Sequence, residues 1–231
     1  MYRSLSSLKT IETIETLQKR IAERFPYSDL EAVCKELCEL AKDGEQRAER
    51  IGRPNVPLRV FVSLLITVFV GVLIYTISTF DMSLGELNVG GLAQISNAAI
   101  NNIVLIGAAI VFLVTAESRI KRARILTSLY ELRSIAHVID MHQLTKDPSV
   151  FMQKIMLTTS SPKRDMTPYE LTRYLDYCSE MLSLVGKIAA LYSDKTRDPV
   201  VLATVNEIES LTSGFNRKIW QKMMMLHRVV E

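Results

Sequence analysis

Glu131, Arg133, His137, Asp140 and His142 crowd the only stretch of this chain where acids, bases and imidazoles recur close together. His137 and Asp140 are three positions apart, so on a helix they share a face. In that arrangement a carboxylate can orient an imidazole for general acid–base work. His142 follows His137 by five positions, roughly 140° around a regular helix. His137, Asp140 and His142 could therefore hold a metal together only if the helix broke near Met141. The stretch is not His-Glu-x-x-His, and nothing in it demands a break. A helix-surface ion pair or a packed histidine explains the spacing better. No catalytic residue, cofactor or metal is assigned on this basis, and His137, Asp140 and His142 stand as weak candidates.

Cys34 and Cys38 share a helix face, and Cys178 stands far away. A zinc site would need two further ligands beside the pair, so all three read as small buried hydrophobes with reduced thiols. A phosphate-cradling glycine loop, Gly-x-Ser-x-Gly and Cys-x-x-Cys are all missing from the 231 residues. Their absence weighs against the common nucleotide-binding and hydrolase classes. The formal charge of +3 comes with no Lys/Arg stripe interleaved with aromatics, so no nucleic-acid partner is expected.

The elements that would carry these residues are dominated by two uncharged apolar stretches, residues 60–80 and 87–116, separated by a short linker. A helix crosses a bilayer with about 20 apolar residues, and each stretch is long enough. Arg47, Arg50, Arg53 and Arg59 precede the pair, and Arg119, Lys121, Arg122 and Arg124 follow it. The linker between them carries Asp81 and Glu86 and no cation. By the positive-inside rule both termini lie in the cytoplasm and the linker outside. Arg119, Lys121, Arg122 and Arg124 form a topology anchor that also attracts anionic lipid headgroups. Residues 1–16 contain no continuous apolar core and do not read as a cleavable signal peptide, so the first span would itself target the chain.

The second stretch differs from the first. Gln94, Ser96, Asn97, Asn101 and Asn102 occupy its outer third, and Gly107, Ala108 and Ala109 its middle. Amides in lipid seek partners and small residues let helices approach, so Asn97, Asn101, Asn102 and Gly107 are helix-contact candidates. In a ring of copies the amides could instead line a pore.

Outside the apolar pair the composition favours helix. Leu8, Ile11, Ile14, Leu17 and Ile21 recur at helical spacing, and Phe25-Pro26-Tyr27 breaks the pattern. Ser28 and Glu31 suggest a capping box for a second helix reaching about residue 51. Residues 117–144 continue the second apolar stretch as helix, Asp147-Pro148 restarts the chain, and a short helix is expected over 149–157. Thr167-Pro168-Tyr169-Glu170 is a specific start signal. Leu171, Leu175, Cys178, Leu182, Val185, Ala189 and Tyr192 then alternate steps of four and three, and a second stripe, Tyr174, Met181 and Ile188, widens the face. Asp198-Pro199 opens a last helix with the same rhythm, carrying the sole tryptophan, Trp220, and Met223, Met224 and Met225.

The fold class expected is all-α: a two-span transmembrane hairpin with a cytoplasmic helical bundle formed mainly by the C-terminal half. The divisions are an amphipathic helix pair at 1–53, a hairpin at 58–116 (spans about 58–80 and 93–116), and a bundle at 117–231. The function expected is a non-enzymatic integral membrane protein of the plasma or bacterial inner membrane. It would contact lipid and either self-assemble as a homo-oligomer, dock a cytoplasmic protein partner, or do both. The alternatives are an oligomeric channel built from the second span, and a membrane-tethered metal-dependent enzyme or sensor.

Overall fold

The computed structural model describes residues 5–52, 56–79, 89–151, 159–160, 166–194 and 196–230. Among them the helices run in the order α1 (Ser7–Arg24), α2 (Asp29–Gly52), α3 (Val56–Thr79), α4 (Val89–Leu144), α5 (Pro168–Ser193) and α6 (Pro199–Val230). A turn of 3-10 helix at Pro148–Phe151 lies between α4 and α5. The described residues contain no strand, and the chain is all-α. It divides into two compact units: residues 1–52 with 124–231, and residues 53–123.

The first unit is a helical bundle. Ser6 caps α1, which buries Thr10, Ile14, Leu17 and Ile21 at steps of four and three. The chain turns through Tyr27, whose φ of 57° lies in the left-handed region. The capping of α2 departs from the box expected. Glu31 N donates to Ser28 Oγ at 3.2 Å. The Glu31 carboxylate reaches past Ser28 and accepts from Tyr27 N at 3.1 Å, because Ser28 N already donates to the Phe25 carbonyl. α1 and α2 run antiparallel, cross-linked by Ser7 Oγ to Glu45 at 2.6 Å and Lys42 to Glu15 at 2.6 Å.

Thr167 and Glu170 close a full capping box on α5, with Pro168 in the first turn. α5 and α6 form a second antiparallel pair. Asn216 Nδ2 donates to Ser183 Oγ at 3.2 Å, and a Cβ on Gly186 would stand 3.3 Å from Thr212 Oγ1. Both α1 and α2 also pack on α5. That is why half of its 26 residues are buried, with Tyr177, Leu184 and Gly186 added to the seam and second stripe read from the sequence. The C-terminal part of α4 adds Ile125, Leu129, Leu132, Ala136 and Ile139 to the same core. Where a short helix was expected over 149–157, the described part is the 3-10 turn, opened by Asp147 accepting from Ser149 N at 3.0 Å. Residues 152–158 lie outside the described residues.

The second unit contains α3 and the N-terminal part of α4. α4 is one helix through the apolar stretch and onward to Leu144. Among the described residues no helix is long and apolar enough to cross a membrane. Most of the described side chains of α3 are nonetheless apolar, and several stand open, with Val60 60%, Leu64 62%, Val68 60% and Ile74 60% exposed.

Candidate functional site

His137 and Asp140, singled out on α4, each find a separate partner. His137 is exposed, and its ring packs edge-on against Phe215 of α6 at 5.5 Å between centroids. Asp140 is buried, and its carboxylate accepts from Gln143 Nε2 at 2.7 Å. His142, half-buried, lies nearby on the same helix. Among the described residues no cluster of three His, Cys, Asp or Glu could hold a metal ion.

The densest polar cluster lies just beyond, at the end of α4. Gln143 is fully buried, and its Oε1 has no hydrogen-bond partner among the described residues. Its backbone carbonyl is one of the last four of the helix, which have no partner within it. Lys222 of α6 donates to that carbonyl at 2.6 Å. A cation at a helix C-terminus also complements the helix dipole. Burial lowers the Lys222 pKa, while the Asp147 and Asp140 carboxylates pull it back up. The cluster thus closes a helix end and joins α4 to α6. Sequence reasoning passed over Lys222, although a signal was present. It falls three after Ile219 and four before Leu226, both buried, which marks an inward-facing lysine.

A second network ties α2 to the start of the bundle part of α4. Arg47 donates to Glu131 at 2.7 Å, to Ser128 Oγ at 3.3 Å and to Asp43 at 3.5 Å. Tyr192 of α5 is buried beside this network, and burial raises its pKa. Gly44 gives the phenol room, since a Cβ there would stand 2.8 Å from the Tyr192 oxygen. The two chain segments that lead out of the bundle into residues 53–123 are therefore held side by side.

Cys34, Cys38 and Cys178 are free and buried. Burial pushes the thiols of Cys34 and Cys178 up to about 12, which removes the nucleophilic thiolate at neutral pH. A cavity of about 130 Å³ between α1, α2 and α5 is bordered by Thr10, Ala41, Gly44, Ile188 and Tyr192. Ser7, Glu45 and Asp194 also line it, and Ser7 Oγ donates to Glu45 at 2.6 Å.

The side chains of Asn97, Asn101 and Asn102, on α4, lie outside the described residues. Gly107 is exposed, and no described atom comes within 4 Å of where its Cβ would stand. Of the basic flank, Arg119 lies over the Phe112 ring at 5.9 Å and Lys121 pairs with Glu117 at 2.8 Å. Arg122 is half-buried and Arg124 exposed.

No protein-family model, curated protein or solved structure matches the chain.

Proposed function

We propose that this chain is a non-enzymatic integral membrane protein. Residues 58–116 form a hairpin in lipid, and the helical bundle is an assembly and docking module on the cytoplasmic side. The observation that carries this reading is the open apolar cover of α3. Val60, Phe61, Leu64, Val68, Val70, Ile74 and Tyr75 are each 47–68% exposed. Fully burying one such side chain is worth about 1.5–3 kcal/mol, so together they favour a covered state by on the order of 10 kcal/mol. That rivals the whole stability of an ordinary domain. The sequence contains no charge from Val60 through Phe80, which suits lipid as the cover.

The Arg47 network supports the same reading, because a hairpin needs its two ends together. Arginines before and after the hairpin, and acids in its linker, favour both termini on the cytoplasmic side. Open space at Gly107 beside exposed Val104 and Val111 suits close approach of a second copy.

Fractionation tests the proposal. The chain should stay with membranes through alkaline carbonate and leave them only in detergent. Recovery in the soluble fraction would overturn it. Blue-native electrophoresis of the extracted protein should show an oligomer, and a monomer alone would remove the assembly part.

A further inference from the structure

We infer that the exposed face of the C-terminal half of α6 docks an acidic, amphipathic segment of a protein partner, with Trp220 as the anchor. The inference rests on the membrane reading above and names the surface its cytoplasmic partner uses.

Charge is the first argument. The chain is nearly balanced, with 28 Lys and Arg against 25 Asp and Glu. Between Glu209 and Glu231 there is no carboxylate, while Arg217, Lys218, Lys222 and Arg228 all fall there. Shape is the second. Phe215, Ile219 and Leu226 turn into the core. Arg217, Trp220 and Met224 follow one another at steps of three and four along the opposite face. Arg217 and Lys218 are exposed, Trp220 is 62% exposed, and Met224 and Met225 are 38% and 37% exposed. Tryptophan, methionine and arginine are the residue types that interfaces concentrate. Methionine also adapts its shape to what it meets.

Position and charge select the occupant. Lys222 on Gln143 places this half of α6 at the C-terminal end of α4. Arg47 on Ser128 marks the other end of the bundle, where the chain leaves for residues 53–123. Positions 128 and 143 are 15 residues apart along α4, about 22 Å. Trp220 thus stands towards the end of the bundle away from the Arg47 network. A second copy would set the same basic face against itself in a two-fold pairing, which repels. An acidic partner meets no such repulsion, and its carboxylates match Arg217 and Lys218.

The sole tryptophan of the chain gives the readout. The full chain in neutral detergent is titrated with a synthetic helical peptide carrying leucine on one face and glutamate on the other. The same peptide with glutamine for glutamate serves as control. The glutamate peptide should shift Trp220 emission to the blue, shield it from acrylamide, and bind saturably. High salt, or the double exchange R217E/K218E, should weaken binding about tenfold or more with unchanged helicity. Three results overturn the inference: no response to either peptide or an equal response to both; a response to phosphatidylserine vesicles in place of the peptide; or shielding that grows with protein concentration alone. Carbonate fractionation decides the membrane reading separately, so the failure of one is not mistaken for the failure of the other.

Discussion

Arg20 and Glu180 stand 160 positions apart in the chain and meet in a two-pronged ion pair. Nη1 donates to Oε2 at 2.8 Å and Nη2 donates to Oε1 at 3.2 Å. The guanidinium also lies 5.2 Å from the centroid of the Tyr177 ring. This pair fastens α1 to α5. Its side chains keep 41% and 33% of their exposure, so water screens much of the attraction. A double-mutant cycle of Arg20→Ala and Glu180→Ala, read by urea unfolding, should give a coupling of about 0.5–1 kcal/mol. Arg20→Lys should lose most of it, because an ammonium cannot reproduce the fork. Zero coupling would show that the shared core alone holds α1.

Gly44→Ala sets two effects against each other. Alanine gains up to about 1 kcal/mol over glycine inside a helix. The added Cβ would meet the Tyr192 oxygen at 2.8 Å, and that phenol is buried. We expect the clash to win, with a net loss of about 1 kcal/mol. In a Tyr192→Phe background the exchange should become neutral or stabilising. Equal effects in both backgrounds would rule out the contact as the cause.

Leu182 sits on α5 with no exposed surface. Its exchange for alanine should cost about 2–5 kcal/mol, the range for a core leucine that leaves a cavity. Leu202, 40% exposed on α6, serves as the contrast. Its exchange for alanine should cost well under half as much. Comparable losses would mean that α5 is not the centre of the bundle.

The buried thiols set an alkaline limit. Cys34 and Cys178 have folded pKa values near 12, raised by burial from the ordinary 9.0. Below about pH 9 both states keep their protons and the thiols contribute no pH dependence. As pH rises from there towards 12 the unfolded chain releases protons that the folded one holds, so stability falls. Between about pH 8 and pH 10.5 the loss should be about 2 kcal/mol per thiol, about 4 kcal/mol for the two, seen in urea unfolding followed by circular dichroism. A C34A/C178A double variant should flatten the profile. Maleimide labelling of the native protein near neutral pH should be slow at all three cysteines, and rapid labelling would contradict their burial.

Local chemistry made much of the fold legible. Thr167, Pro168 and Glu170 mark the start of α5, because a capping box is written in four adjacent residues. The break at residues 25–27 and the opening of α6 at Asp198, which accepts from Val200 N and Val201 N, are equally local. What stayed hidden depends partly on partners far away in the chain and partly on competing bonds to near neighbours. The seam of α5 predicts one buried side, yet Tyr177 and Leu184 are buried too, since α1 and α2 cover that flank. Ser28 and Glu31 form the expected pattern, but the Phe25 carbonyl takes the amide that would have completed the box. On α4, His137 and Asp140 share a face as their spacing implies. Phe215 and Gln143, neither adjacent in sequence to the residue it engages, take up their side chains.

The way the bundle is drawn from both sides of residues 53–123 sets an order for its making. Leu17, Ile21 and Leu37 are covered in the finished bundle, and α5, which packs on α1 and α2, is more than a hundred residues downstream. At synthesis speeds of about 5–20 residues per second, α1 and α2 wait roughly 10–30 s for it on the ribosome. During that interval the intervening apolar segment emerges first. The nascent chain therefore carries greasy surface through translation, and its bundle closes only as the last helices arrive.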